Sequence, residues 1–302
     1  MIRLVLALFA LLALASGSAL AAEVTQGPLR VSFPESVAEG QPFLVEVTLA
    51  GQAGGATVEW LGKRAPVALE KRGNVLRAEA LLGAGLGTAG SSRVLQVEAS
   101  VGGVRETALC GVKVTRSAFP EQRLKLPPRM VTPSKEDQER IEREREVINK
   151  ALAEVSAIRY WGVPFLRPVP GVVTSAFGLR RILNGQPRSP HTGIDFDASM
   201  GEEVRAAARG RVILTGDFYY NGNSVFLDHG QGVITMYFHL SRVNVANGQV
   251  VEKGQVVGLA GASGRATGPH LHFGMRLLGQ SVDPMALFAP GWPSARRPGE
   301  GS

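Results

Sequence analysis

From residue 23 to about 116, apolar and polar positions alternate with a period of two in short runs. Phe43-Leu44-Val45-Glu46-Val47-Thr48-Leu49, Val75-Leu76-Arg77-Ala78-Glu79-Ala80 and Val94-Leu95-Gln96-Val97-Glu98-Ala99 are the clearest. Alternation of this kind turns one face of an extended segment to a core and the other to water, so each run predicts a half-buried strand. Gly51 to Gly55, Gly83 to Gly90 and Gly102-Gly103 separate the runs and predict turns. Several strands at this spacing predict an N-terminal β-sandwich, Ig-like, over residues 23–116. It holds no histidine and no convergent polar cluster, which suits a structural or targeting module.

The pattern then changes twice. Residues 117–162 open with Phe119-Pro120, Leu126-Pro127-Pro128 and Thr132-Pro133, where proline fixes φ and removes donors, so a connector is expected. Ser134, with Asp137 three residues on, then predicts a helix start. Charges of both signs crowd Glu136 to Arg145, and Ile141, Ile148, Leu152, Val155 and Ile158 form one apolar stripe suited to docking on a neighbouring part. Gly162 and Pro164 are expected to end this helix. From Val163 short β-rich runs return: Val212-Ile213-Leu214, Ser224 to Leu227, Val233 to Tyr237 and Val256 to Leu259. A second β-domain is expected over residues 163–290, with a polar, disordered tail at 291–302. The chain is therefore expected to be mainly β, with a helical connector between two β-rich parts.

Length agrees with that division, since 302 residues suit two domains. The formal charge of +7 changes little, because basic residues are scattered among acidic ones. No basic stretch interleaved with aromatics is found, so no nucleic-acid partner is expected. Residues 1–22 read as an export signal: Arg3, an apolar run from Leu4 to Leu14, and the small-x-small site Ala19-Leu20-Ala21. The run is shorter than the roughly 20 residues of a membrane span, and no cysteine follows it as a lipid attachment point. An exported protein of the periplasm, cell envelope or extracellular space is expected, without an integral membrane segment once the signal is removed. The single cysteine, Cys110, lies in the apolar run Ala108 to Val112 and reads as a small buried hydrophobe.

Candidate chemistry is confined to the second half, where all five histidines lie between residues 191 and 272. His191-Thr-Gly-Ile-Asp195 sets a histidine and a carboxylate at an even offset, which on an extended segment returns both to one face. His270-Leu-His272 repeats the device, with Leu271 turned toward the core. Catalytic zinc sites commonly use three protein ligands and keep a fourth position open. His191, Asp195 and one of the pair His270/His272 would supply such a set. The other of the pair, with His239, would handle protons near neutral pH.

Taken together, His191-Thr-Gly-Ile-Asp195, Tyr237-Phe-His239-Leu and Ser263-Gly-Arg-Ala-Thr-Gly-Pro-His270-Leu-His272-Phe resemble the lysostaphin-like M23 peptidases, as do Thr174 to Arg180 and Val282-Asp283-Pro284. The resemblance covers roughly residues 164 to 290. It implies an antiparallel β-domain with a narrow groove and one Zn2+ per chain. By resemblance His191, Asp195 and His272 are the zinc ligands, His239 and His270 are the catalytic imidazoles, and the substrate is a peptide of bacterial peptidoglycan. Family members that have become non-catalytic lack one of these positions, and none is lost here. His229 falls outside the motifs and reads as structural. The bond cleaved, the oligomeric state, and whether the N-terminal part docks on the groove stay open at this level. The export reading predicts a mature N-terminus at Ala22 or Glu23. N-terminal sequencing of exported protein checks it, and recovery only of an intact Met1 form in the cytosol would refute it.

Overall fold

The computed structural model describes residues 21–125, 133–187 and 189–293. Residues 1–20 of the expected export signal and 294–302 of the expected tail lie outside them. The fold is mainly β, as expected, and carries one α-helix among the described residues.

The alternating runs of the first half form two five-stranded sheets. One runs in spatial order Ala21–Gln26, Leu29–Pro34, Pro42–Ala50, Val75–Gly83, Glu70–Arg72. The other runs Ser36–Ala38, Val104–Thr115, Ser92–Val101, Ala53–Trp60, Lys63–Val67. Alternate residues of the longer strands of both enter a single core, including Val45, Val47 and Leu49 from one sheet and Val58, Leu95, Val97 and Val112 from the other. Trp60 is fully buried, packs edge-on to Phe43 at 5.2 Å, and donates its indole N–H to Gly83 O at 2.8 Å. Cys110 sits in this core, and burial pushes its thiol up to about 11, which makes it unreactive at neutral pH. The turn expected over Gly51 to Gly55 is shorter than predicted. Ala53–Trp60 already begins within it, and a register shift between Ala53 and Gly55 absorbs the glycines as a bulge.

The helix spans Lys135–Ala151. Ser134 Oγ caps it by accepting from Asp137 N at 3.1 Å, as the sequence suggested. It stops well before Gly162, because Leu152 closes it through Ile148 O. Val155 and Ile158 are therefore not helical: Val155 packs against the first core and Ile158 is exposed. Charge pairing on the helix takes the form Arg140–Glu144 at 2.5 Å and Arg145–Glu142 at 3.1 Å. Among the described residues no helix is long and apolar enough to cross a membrane.

The second half is built on one sheet in the order Val173–Ser175, Gly193–Asp197, His270–Leu277, Val233–Leu240, Gly222–Asp228, Gly210–Phe218, Val250–Val251, with Gln280–Val282 beside His270–Leu277. Val233–Leu240 shows how its two faces differ. All eight of its residues are buried. Val233 and Tyr237 enter the main core with Ile194, Phe196, Leu271 and Phe273. Ile234, Met236 and Phe238 form a second apolar patch with Phe218 and Phe226, and Ile148 and Leu152 from the helix pack against it. Period-two parity then puts His270, His272 and Asp195 on the side away from the main core, beside this helix-covered patch.

The two halves share residues across their cores. Leu81 packs in the core of the second half, and Leu278 in that of the first. Asp283 N donates to Gly40 O at 2.7 Å, and Arg159 pairs with Glu79 at 2.5 Å. Leu277 to Asp283 lie past the far end of the strand that begins at His270, roughly 16 Å of strand from His272 at about 3.3 Å per residue.

His229 has hydrogen-bond partners at both ring nitrogens. It is fully buried, its Nδ1 lies 2.7 Å from Arg209 O, and its Nε2 lies 2.7 Å from Thr235 Oγ1. A carbonyl can only accept, so Nδ1 carries the proton. Burial holds the ring neutral, with its pKa down to about 4. Nε2 must then accept from the Thr235 hydroxyl, which lies 3.0 Å from Tyr237 Oη. Tyr237 in turn accepts from Ala207 N at 2.8 Å, so every member of the chain is satisfied. Between pH 6.5 and about 4 the unfolded chain takes up a proton that folded His229 refuses. The contribution is complete above pH 6.5 and is lost as pH falls toward 4, at up to about 1.4 kcal/mol per pH unit. Urea unfolding between pH 4 and 8 should show this loss, and His229→Gln should flatten the slope. An unchanged slope in that variant would assign the dependence to other groups.

Candidate metal centre

Three adjacent strands place the centre. In the register, Asp195 stands opposite His272, Asp197 opposite His270, and His272 opposite Phe238. Directly paired residues on one face have Cβ atoms about 5 Å apart, so the carboxylate, the imidazole and the phenyl ring meet in a row. The His272 ring stacks on Phe238 at 5.2 Å and 6° between planes, which holds its orientation. Gly193 allows the close approach: a Cβ there would lie 2.7 Å from His272 Nε2.

His191 is not on the strand but immediately before it, and it reaches the same point. His191 Nε2 lies 3.0 Å from His272 Nδ1 and 3.0 Å from Asp195 Oδ1, and His272 Nδ1 lies 2.8 Å from Asp195 Oδ1. These residues form the metal-binding group found among the described residues. His191 Nδ1 lies 3.0 Å from Ala176 O, so it bears the proton and turns the Nε2 lone pair inward. A lone pair and a carboxylate oxygen thus aim at one point, which a proton on His272 or a cation must occupy. Two imidazole nitrogens and one carboxylate oxygen, close enough for one ion to touch all three, suit zinc. Burial alone would raise the Asp195 carboxyl, but hydrogen bonds and charge from His191 and His272 outweigh it and hold it well below the usual carboxylate range. Burial also lowers His272, against the pull of Asp195.

His239 and His270 flank the group. Their ring centroids are 4.7 Å apart, and His239 is 6.2 Å from His272. His239 Nδ1 lies 2.9 Å from Ser263 O, and His270 Nδ1 lies 2.9 Å from Gly268 O. Each therefore carries its proton on Nδ1 and presents a bare Nε2, as His191 does. His239, next to last in its strand, adopts φ 62°, a left-handed conformation stabilised by its own N–H to Asn221 O at 2.8 Å. Burial lowers its pKa to about 4, against the hydrogen bond to Ser263 and with help from His270 and His272.

All five residues singled out in the sequence thus meet in one place. Sequence reasoning missed the carbonyls of Ala176, Ser263 and Gly268, which set the tautomers. It also missed Phe238, although Phe238 adjoins His239. Backbone acceptors have no residue signature, so sequence spacing could not mark them.

The sequence model described as Peptidase family M23 matches residues 189–284. The chain is 42% identical over 118 residues to the DD-carboxypeptidase/endopeptidase Mpg of Neisseria meningitidis serogroup B, covering 39% of this chain and 27% of that protein. It is 40% identical over 119 residues to the peptidoglycan DD-endopeptidase ShyA of Vibrio cholerae, covering 39% of this chain and 28% of that protein. The chain therefore spans little more than a quarter of the length of these curated relatives. A crystal structure from Pseudomonas aeruginosa, solved as a candidate M23 peptidase, is 31% identical with a TM-score of 0.62, covering 83% of this chain and 94% of that one.

The His239 environment makes a prediction independent of any metal. In metal-free protein, imidazole 15N NMR should find His239 as the Nδ1–H tautomer, neutral until pH approaches 4. A midpoint near 6.5 would show that the ring is not held as described.

Proposed function

The chain belongs to peptidase family M23, and we propose on that premise that it is a zinc metalloendopeptidase that hydrolyses peptide bonds in bacterial peptidoglycan. The observation that carries this reading is the convergence of His191 Nε2, Asp195 Oδ1 and His272 Nδ1 on one point, with two more imidazoles presenting bare nitrogens beside it.

In this reading His191, Asp195 and His272 hold one Zn2+ per chain. Two neutral imidazoles and one carboxylate leave the centre with a net positive charge. Bound zinc supplies Lewis acidity toward a peptide carbonyl and a water molecule. Asp195, held ionised by its neighbours, anchors the cation. Phe238 keeps the His272 ring fixed and excludes water from its flank. His239 and His270, with Nδ1 protons committed to Ser263 O and Gly268 O, accept a proton at Nε2 and pass it to the leaving amine. A lowered pKa keeps His239 neutral through the neutral range, so its Nε2 is available as an acceptor.

The names of the Neisseria and Vibrio relatives support a D,D bond of the cross-link as the substrate. Action on the cell wall is consistent with an export signal over residues 1–22 and with a site in the envelope or outside the cell. Docking of the N-terminal part on the peptidase part is supported by the Leu81, Leu278 and Asp283–Gly40 contacts.

Two measurements test the roles. Asp195→Ala and His272→Ala should lose zinc in elemental analysis and lose activity together. His239→Ala and His270→Ala should keep near-stoichiometric zinc and lose about 10²–10⁴-fold of the rate. Loss of metal in His270→Ala with retention in His272→Ala would reverse the assignment. Muropeptides digested by the full chain, read by mass spectrometry, should show cross-linked dimers becoming monomers. Digestion at the wild-type rate by both catalytic variants would refute the peptidase reading.

A further inference from the structure

His191 is held chiefly by one loop, with Ser175 Oγ also 3.3 Å from its Nδ1. Its N–H donates to Leu179 O at 3.0 Å, its carbonyl accepts from Gly178 N at 2.8 Å, and its Nδ1 donates to Ala176 O at 3.0 Å. All three partners lie within residues 176–179. Contacts on the other side of that loop come from far upstream of residues 189–284, the stretch that matches the peptidase family. Phe119 of the connector packs edge-on to Phe177 at 6.2 Å, and its ring covers Gly178 so closely that a Cβ there would run into it. Gly178 adopts φ 76°, where a side chain is strained in any case. Arg180 N donates to Pro120 O at 2.9 Å, and Glu121–Leu124 then continues as a parallel strand beside Arg180–Leu183. The third contact comes from the N-terminal sheets: a Cβ on Gly40 would meet the Phe177 ring at 2.9 Å and the Phe119 ring at 3.3 Å.

We infer that the connector segment Phe119–Leu124 is a strap that positions His191 for metal binding, with Phe119 as its positioning residue. The chain of contact is continuous. The Phe119 ring presses on Phe177 and Gly178; residues 176–179 hold both backbone groups and the Nδ1 proton of His191; His191 Nε2 then faces Asp195 and His272. Removing the ring opens space over a glycine in a left-handed conformation and frees the carbonyl that sets the His191 tautomer. Partners that orient a metal ligand typically change metal affinity by about 10–100-fold when removed. The N-terminal half thereby acts on the centre without touching the reacting atoms. The inference rests on the proposed peptidase for what His191 binds, and on geometry alone for how it is held.

The test uses the full chain and compares Phe119→Ala, Phe119→Tyr and Glu79→Gln. The last breaks the Arg159 pair between the halves without touching the loop. Hydrogen exchange is first measured on metal-free protein. In Phe119→Ala the amides of Gly178 and His191 should exchange at least about 10-fold faster while the main-core strands keep their protection. Zinc affinity, by competition with a chelator, should fall about 10-fold or more. Phe119→Tyr, which keeps the ring, and Glu79→Gln should behave as wild type in both. Unchanged exchange in Phe119→Ala overturns the strap, as does an equal effect in Glu79→Gln, which would assign it to docking in general. Faster exchange with unchanged zinc affinity overturns the link to the metal. Should Phe119→Ala not fold, Phe119→Val, which also lacks the ring, is read by the same criteria. A wild-type chain that takes up no zinc yet shows the exchange difference would sink the peptidase reading and leave the strap standing.

Discussion

The pairing of Asp195 with His272 across neighbouring strands is the constraint around which the second half is organised. A carboxylate on a partly covered sheet face is costly unless its charge is answered, and here His272 Nδ1 at 2.8 Å, or a cation shared with His191 Nε2 at 3.0 Å, answers it. Strand register alone delivers His272. His191 must be brought in from outside the sheet, and the loop at residues 176–179 does so. A shift of one residue in the register would turn Asp195 or His272 into the main core, where neither could stay charged or reach an ion.

That requirement explains why the sheet is covered unevenly. One face is apolar along its length and forms the main core. The other is divided between an apolar patch and the polar centre. The patch needs a cover, and Ile148 and Leu152 of the connector helix provide one. The centre lies at the end of the His270–Leu277 strand remote from the contacts between the halves at Leu278 and Asp283. Phe238 joins the two regions, being part of the patch and stacked on His272.

Electrostatics at the centre are set largely by main-chain carbonyls. Ala176, Ser263 and Gly268 each take an Nδ1 proton and leave an Nε2 lone pair directed elsewhere. The same device serves His229, where Arg209 O takes the Nδ1 proton and Thr235 answers Nε2, so the ring is consumed by structure and has no free nitrogen. Four histidines with one tautomer therefore serve different ends. What separates them is their setting: the second nitrogen of His229 meets a hydroxyl inside the core, while His191 joins Asp195 and His272, and His239, with His270 against it, lies beside His272.

The sequence by itself determined the β character of both halves, because period-two alternation such as Phe43 to Leu49 can bury an apolar face only as a strand. It also marked which side chains could form the centre, since His191, Asp195, His270 and His272 stand out by residue type and spacing, and His239 through the family resemblance. It placed the start of the helix through Ser134, a local capping interaction, but misplaced its end. The stop depends on where Val155 is drawn into the first core, and stripe spacing carries no information about that. Tertiary structure alone decided the rest: His191 entering from before the strand, the carbonyls that set the tautomers, the burial that lowers His239, and the grip of Phe119 on the loop beneath His191. These depend on backbone groups and on contacts between residues far apart in the chain. A carbonyl is present at every position, so only the folded arrangement can single one out.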